Sequence, residues 1–182
     1  MNLPNKLTMF RVVLIPFFVM FMLAPICSGY ANYIAVAIFI IASLTDLLDG
    51  KIARKYNLVT DFGKFMDPLA DKLLVCSAMI CLVEKAQLPA WIVIVIIGRE
   101  FIISGFRLIA ADNGIVIAAS YWGKFKTTFQ MLMIIVLVFN LDFNNWYVYL
   151  AGQVLAYIAL ALTVISLVDY LWKNKGVLKE QK

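Results

Sequence analysis

Residues 147–171, YVYLAGQVLAYIALALTVISLVDYL, decide the fold class: Asp169 is the sole charge in the run, and there is no proline. About 20 consecutive apolar residues let a helix cross a bilayer core. The rest of the chain repeats the pattern, with stretches of spanning length at 7–25, 31–49, 68–86, 89–110 and 121–140, separated by short loops. The 182 residues are 64% hydrophobic and 15% charged, with a mean hydropathy of +0.91. A soluble domain is about 45–50% apolar. In lipid, only a helix satisfies its own backbone at this spacing, so the sequence predicts an all-α, polytopic membrane protein, a six-transmembrane-helix bundle. No linker or repeat divides it, and residues 1–182 read as a single membrane domain.

The net charge of +5 has a membrane explanation rather than a nucleic-acid one. With the amino terminus inside, Lys6, Arg11, Lys51, Arg54, Lys55, Lys64, Lys72, Arg107, Lys124, Lys126, Lys173, Lys175, Lys179 and Lys182 fall on cytoplasmic segments or helix ends, leaving Lys85 outside. That asymmetry predicts a multi-pass inner (cytoplasmic) membrane protein with both termini in the cytoplasm. Lys6 before an apolar run also fits a signal peptide, but Arg11, Pro16 and the polar opening Pro4-Asn5-Lys6-Leu7-Thr8 suit a retained helix. Tyr30, Tyr33, Trp91, Trp146, Tyr147 and Tyr149 read as an outer aromatic belt. Cys27, Cys76 and Cys81 lack metal-type spacing and read as free thiols in helices. The absence of histidine removes imidazole bases, Ser/His/Asp and Cys/His systems and the usual zinc ligands. Any chemistry must use carboxylates, hydroxyls, Lys and Arg.

Asp46 and Asp49 are three residues apart and Asp67 and Asp71 four apart, so on helices each pair shares a face. The two spans are consecutive and antiparallel, which predicts that four carboxylates converge at the cytoplasmic face. Unrelieved, they would repel one another, and a bound cation is the natural relief. All-oxygen donors favour Mg²⁺ or Mn²⁺, with Ca²⁺ behind them. Taken singly, each acid also fits an ordinary solvated helix end. Gly50 and Gly63 let backbone approach a ligand, or simply cap a loop, and Arg54 lies one turn beyond Gly50, within reach of a phosphate.

Asp46, Asp49, Gly50, Ala53, Arg54, Gly63, Asp67 and Asp71 reproduce every fixed position of D-x2-D-G-x2-A-R-x8-G-x3-D-x3-D, the signature of the CDP-alcohol phosphotransferase family. At average residue frequencies, chance would match eight positions on the order of once in 10¹⁰ starts. The chain therefore resembles that family, which implies six transmembrane helices, a homodimer, a cytoplasm-facing polar cavity, and transfer of a phosphate-linked group from a CDP-activated donor to an alcohol with release of CMP. The resemblance implies two divalent cations, Mg²⁺ or Mn²⁺: one on Asp46, Asp49 and Asp67, a second on Asp46, Asp67 and Asp71. Asp71 is implied as the catalytic base. The nucleotide of the donor is implied to lie against Asp49, Gly50, Ala53, Arg54 and Gly63, with Asn5 and Thr8 reaching toward it; for Ala53, tight helix packing is a compatible reading.

The second half holds cations without obvious acidic partners: Arg99 and Arg107, two helical turns apart, then Lys124 and Lys126. Glu100 offers a pairing partner in the blander account. Cations beside a bound diphosphate suit an anionic acceptor; they are wrong for choline or ethanolamine, while serine is less clearly excluded. Gly98-Arg99-Glu100-Phe101, Ser104-Gly105-Phe106-Arg107, Gly123-Lys124-Phe125-Lys126-Thr127 and Asp67-Pro68-Leu69-Ala70-Asp71-Lys72 resemble the branch that forms phosphatidylglycerophosphate. That branch implies CDP-diacylglycerol as donor and sn-glycerol 3-phosphate as acceptor, its phosphate held by Arg99, Arg107, Lys124 and Lys126. A myo-inositol phosphate acceptor needs a similar pocket. From another class, a divalent-cation transporter would want acids at mid-bilayer rather than at one face, and a purely structural scaffold leaves the signature unexplained.

Overall fold

Six α-helices appear among the described residues of the computed structural model: α1 (Leu3–Leu23), α2 (Ala31–Lys55), α3 (Asp61–Glu84), α4 (Ala90–Asp112), α5 (Tyr121–Phe143) and α6 (Trp146–Lys173). The structure describes residues 3–24, 29–55, 61–112 and 120–174, of which 3, 4, 47–55, 61, 62, 64, 65 and 112 are described by backbone alone. Hydropathy locates all six helices but not their polar ends. The first helix starts at Leu3 rather than 7, with Pro4 in its first turn, where a missing N–H costs nothing. The second runs on to Lys55 and the third starts at Asp61, rather than ending at 49 and starting at 68. A helix ladder continues beyond the apolar run because its hydrogen bonds are internal.

Asn5–Leu23, Tyr121–Phe143 and Trp146–Lys173 are long and apolar enough to cross a membrane. The apolar part of α2 ends at Asp46, and α3 and α4 are broken by charge. Exposed Ile94, Leu108, Phe101 and Val168 stud the outer surface as lipid requires, and the chain is a membrane protein.

Packing of α5 on α6 follows from small residues. The buried face of α6 is Gly152, Ala156, Ala159, Thr163, Ser166 and Tyr170, spaced alternately by four and three, so two backbones can come close. A Cβ on Gly152 would stand 2.3 Å from Leu137 Cδ2 and 2.8 Å from its Cγ, and Leu137 is itself fully buried. Gly152→Ala is therefore expected to destabilise the fold by about 2 kcal/mol through overpacking, read as a lower thermal unfolding midpoint in detergent. The α5–α6 turn is built by asparagines: Asn144 is left-handed at φ 45° and Asn145 caps α6 by accepting from Tyr147 N at 2.8 Å. At the end of α3, Ala86 is left-handed at φ 54°, and Gln87 N donates to Leu82 O at 2.8 Å, a Schellman closure.

An apolar core of Phe18, Phe39, Leu82, Ile96, Met133 and Leu137, with their neighbours, fills the middle of the bundle and the end formed by the α3–α4 and α5–α6 turns. Toward the other end the inner faces change character: Asn5, Thr8 and Arg11 on α1, Arg99 on α4, Lys126 and Gln130 on α5, and Thr163 and Ser166 on α6 are all buried. Buried polar groups of this density are costly unless partnered, and their partners define the site. Cys76 and Cys81 are free thiols; Cys27 lies outside the described residues.

Candidate active site

The inner face of α1 supplies the first layer. Asn5, Thr8 and Arg11 recur every three residues ahead of Ile15 and Phe18, so one stripe passes from polar to apolar as it descends into the core. Thr8 Oγ1 donates to Asp67 Oδ1 on α3. Arg11 Nη1 donates to Asp46 Oδ1 on α2 at 2.8 Å, with the arginine side chain fully buried and the aspartate 32% exposed. One helix thus holds an acid from each of its two neighbours. Arg11→Met is expected to cost about 2 kcal/mol of stability, because Asp46 keeps partial access to water, and to lower activity by displacing that carboxylate; unfolding and turnover measured together check it.

Asp46 and Asp71 line one cavity of about 250 Å³ between α2, α3 and α5. Its remaining wall is Phe39, Ile40, Leu44, Met131 and Ile135, with Ser43 and Thr127. Asp71 is partly buried on α3. Lys72, the next residue, donates through Nζ to Ser104 Oγ, which donates to Glu100 O at 2.6 Å.

Of the four aspartates expected to converge, Asp46 and Asp71 line the same cavity and Asp67 accepts from Thr8. The side chains of Asp49, Gly50, Ala53 and Arg54 lie outside the described residues, though their backbone continues α2. Among the described residues no three acidic, histidine or cysteine side chains form a closed ligand set. Gly63 is buried on α3.

Arg99 and Lys126 correct the expectation of cations without acidic partners. Both bind the same oxygen, Glu100 Oε1: Arg99 Nη1 at 3.1 Å and Lys126 Nζ in a close ion pair. The physical reason is burial, since a cation taken from water between helices takes the nearest carboxylate. Arg99 Nε also donates to Ser166 Oγ on α6 at 3.1 Å. Arg107 and Lys124 are exposed and lie over aromatic rings, Arg107 at 5.6 Å from the Tyr170 centroid and Lys124 at 5.4 Å from that of Tyr121.

Two members of this constellation are not legible as site residues from sequence. Arg11 offers a signal, a charge inside an apolar run three residues after Thr8, but its partner is 35 positions away. Ser166 is one of several hydroxyls on α6 and offers none.

A helical membrane protein that gathers most of its buried polar side chains at one end, beside carboxylates from α2 and α3, has the makings of a membrane-embedded group-transfer protein. A model of the CDP-alcohol phosphatidyltransferase family matches residues 1–165, and the chain belongs to that family. Among its relatives is the CDP-diacylglycerol–glycerol-3-phosphate 3-phosphatidyltransferase of Bacillus subtilis, 47% identical over 98% of this chain and 97% of the relative. The proteins of the same name from Haemophilus influenzae and Rickettsia bellii are 46% and 41% identical, covering 97% and 93% of this chain and 95% and 93% of their own.

Proposed function

We propose that this chain transfers the phosphatidyl group from CDP-diacylglycerol to sn-glycerol 3-phosphate, giving phosphatidylglycerophosphate and CMP. The observation that carries the reading is the shared cavity, lined by Asp46 and Asp71 together with the apolar side chains of Phe39, Ile40, Leu44, Met131 and Ile135. A diphosphate and acyl chains are the two halves of one donor, and the cavity offers a surface to each. Near-full-length identity to relatives bearing that activity in their names supports the same substrates.

The donor chemistry of the acids suits a hard cation. Asp46, Asp67 and Asp71 offer only carboxylate oxygens, and dependence on divalent cations is general in the family. Asp46, Asp49, Asp67 and Asp71 are proposed to hold two such ions, Mg²⁺ or Mn²⁺. When bound, they neutralise the diphosphate and make it a better electrophile.

Asp71 takes the proton of the acceptor's primary hydroxyl. The oxygen so freed forms a bond to the phosphorus that carries diacylglycerol, and the bond from that phosphorus to the oxygen bridging to cytidine monophosphate breaks. CMP leaves with that oxygen and its electron pair. Positioning and charge do the work, with no covalent enzyme intermediate. Asn5, Thr8, Asp49, Gly50, Ala53, Arg54 and Gly63 are proposed to cradle the nucleotide, and Arg99, Arg107, Lys124 and Lys126 the acceptor phosphate. We further propose that all six helices span the bilayer, that the acidic end and both termini face the cytoplasm, and that the chain works as a homodimer.

The test is CMP release by purified protein given CDP-diacylglycerol with glycerol 3-phosphate, inositol phosphate or serine in separate reactions. Release with glycerol 3-phosphate alone is expected; release only with another acceptor refutes the assignment.

A further inference from the structure

Lys126 and Arg99 come from different helices, yet they meet on one carboxylate oxygen of Glu100. Their side chains are 1% and 10% exposed, and that of Glu100 21%. Two buried cations this close repel unless an anion lies between them. The group of three keeps a net charge of +1, so it still attracts an anion.

Arg99 is also oriented by the rest of its surroundings. Ser166 on α6 takes its Nε and Glu100 takes its Nη1, which leaves Nη2 as the donor with no hydrogen-bond partner among the described residues. That atom lies against Gly123, where an added Cβ would stand 3.3 Å away. Gly123 occupies the first turn of α5, held by the Ser120 cap through Gly123 N at 3.3 Å, so its backbone has little room to yield. The absent side chain keeps open the space beside the one uncommitted end of the guanidinium.

We propose that Glu100 and Gly123 are positioning residues for the acceptor phosphate: Glu100 holds Arg99 and Lys126 side by side as one receptor, and Gly123 keeps clear the Nη2 donor that meets the anion. This rests on the reading that Arg99 and Lys126 hold that phosphate. Glu100 touches no reacting atom; it acts through the two cations.

The experiment compares kcat and both KM values for Glu100→Gln, Glu100→Asp, Gly123→Ala, Arg99→Met and Lys126→Met in the full-length protein. Glu100→Gln keeps the shape but removes the charge, and the KM for glycerol 3-phosphate is expected to rise about tenfold, while that for CDP-diacylglycerol stays within about twofold. Glu100→Asp restores most of the loss. Gly123→Ala raises the acceptor KM by about threefold to tenfold, again sparing the donor, and carries the test alone if Glu100→Gln does not fold. If Arg99→Met and Lys126→Met leave the acceptor KM unchanged, the reading beneath this proposal fails. If those two raise it while Glu100→Gln and Gly123→Ala do not, or move both KM values equally, the proposal itself is overturned.

Discussion

Asp71→Asn is expected to lower turnover about a thousandfold while leaving CDP-diacylglycerol binding nearly intact. The substitution keeps the size of the side chain and its place on the cavity wall beside Asp46, but an amide cannot accept the acceptor's proton. The loss belongs in kcat, since the base acts only once both substrates are bound. A binding assay with labelled CDP-diacylglycerol separates this from collapse of the site. Near-normal turnover in the variant would assign the proton to another group.

Removing divalent cations is the second large effect. Chelation is expected to bring CMP release to background, and either Mg²⁺ or Mn²⁺ to restore it, because in the proposed complex the donor's negative charge would otherwise meet Asp46 and Asp71, which line one cavity. Rate measured against added metal, before and after chelator, checks it. The chain carries no histidine, so no imidazole is available as a substitute base or ligand.

Much of this architecture is legible in the sequence because lipid imposes a simple rule. Apolar runs must be helices, and all six are found where hydropathy puts them. Polar helix ends escape that rule: α2 passes Asp49 to reach Lys55, and α3 begins at Asp61, seven residues ahead of its apolar stretch. Spacings of three and four belong to local geometry and predict that Asp46 with Asp49 and Asp67 with Asp71 share faces; the side chain of Asp49 lies outside the described residues. Thr8 with Asp67 and Arg11 with Asp46 are not visible, because both join residues far apart in sequence. Glu100 shows the same limit from the other side. Adjacent in sequence to Arg99, it is an evident partner for that residue, but its bond to Lys126 depends on how α4 meets α5.

The close approach of α5 and α6 is similarly a matter of tertiary fit. Gly152 reads from sequence as one more small residue in a membrane helix, and only the position of Leu137 shows why no larger residue fits. Arg107 and Lys124 differ from Arg99 and Lys126 in burial, which a sequence of dispersed cations does not reveal; the outer pair rests on Tyr170 and Tyr121.

Direct observation of Mn²⁺ on the protein tests the core of the account. Electron paramagnetic resonance of Mn²⁺ titrated with purified protein in detergent should show the free-ion signal quenched by the unaltered chain, and quenched far less by Asp46→Asn and Asp71→Asn proteins that remain folded. Equal quenching by all three would contradict the assignment of these aspartates as the ion-binding centre of the reaction.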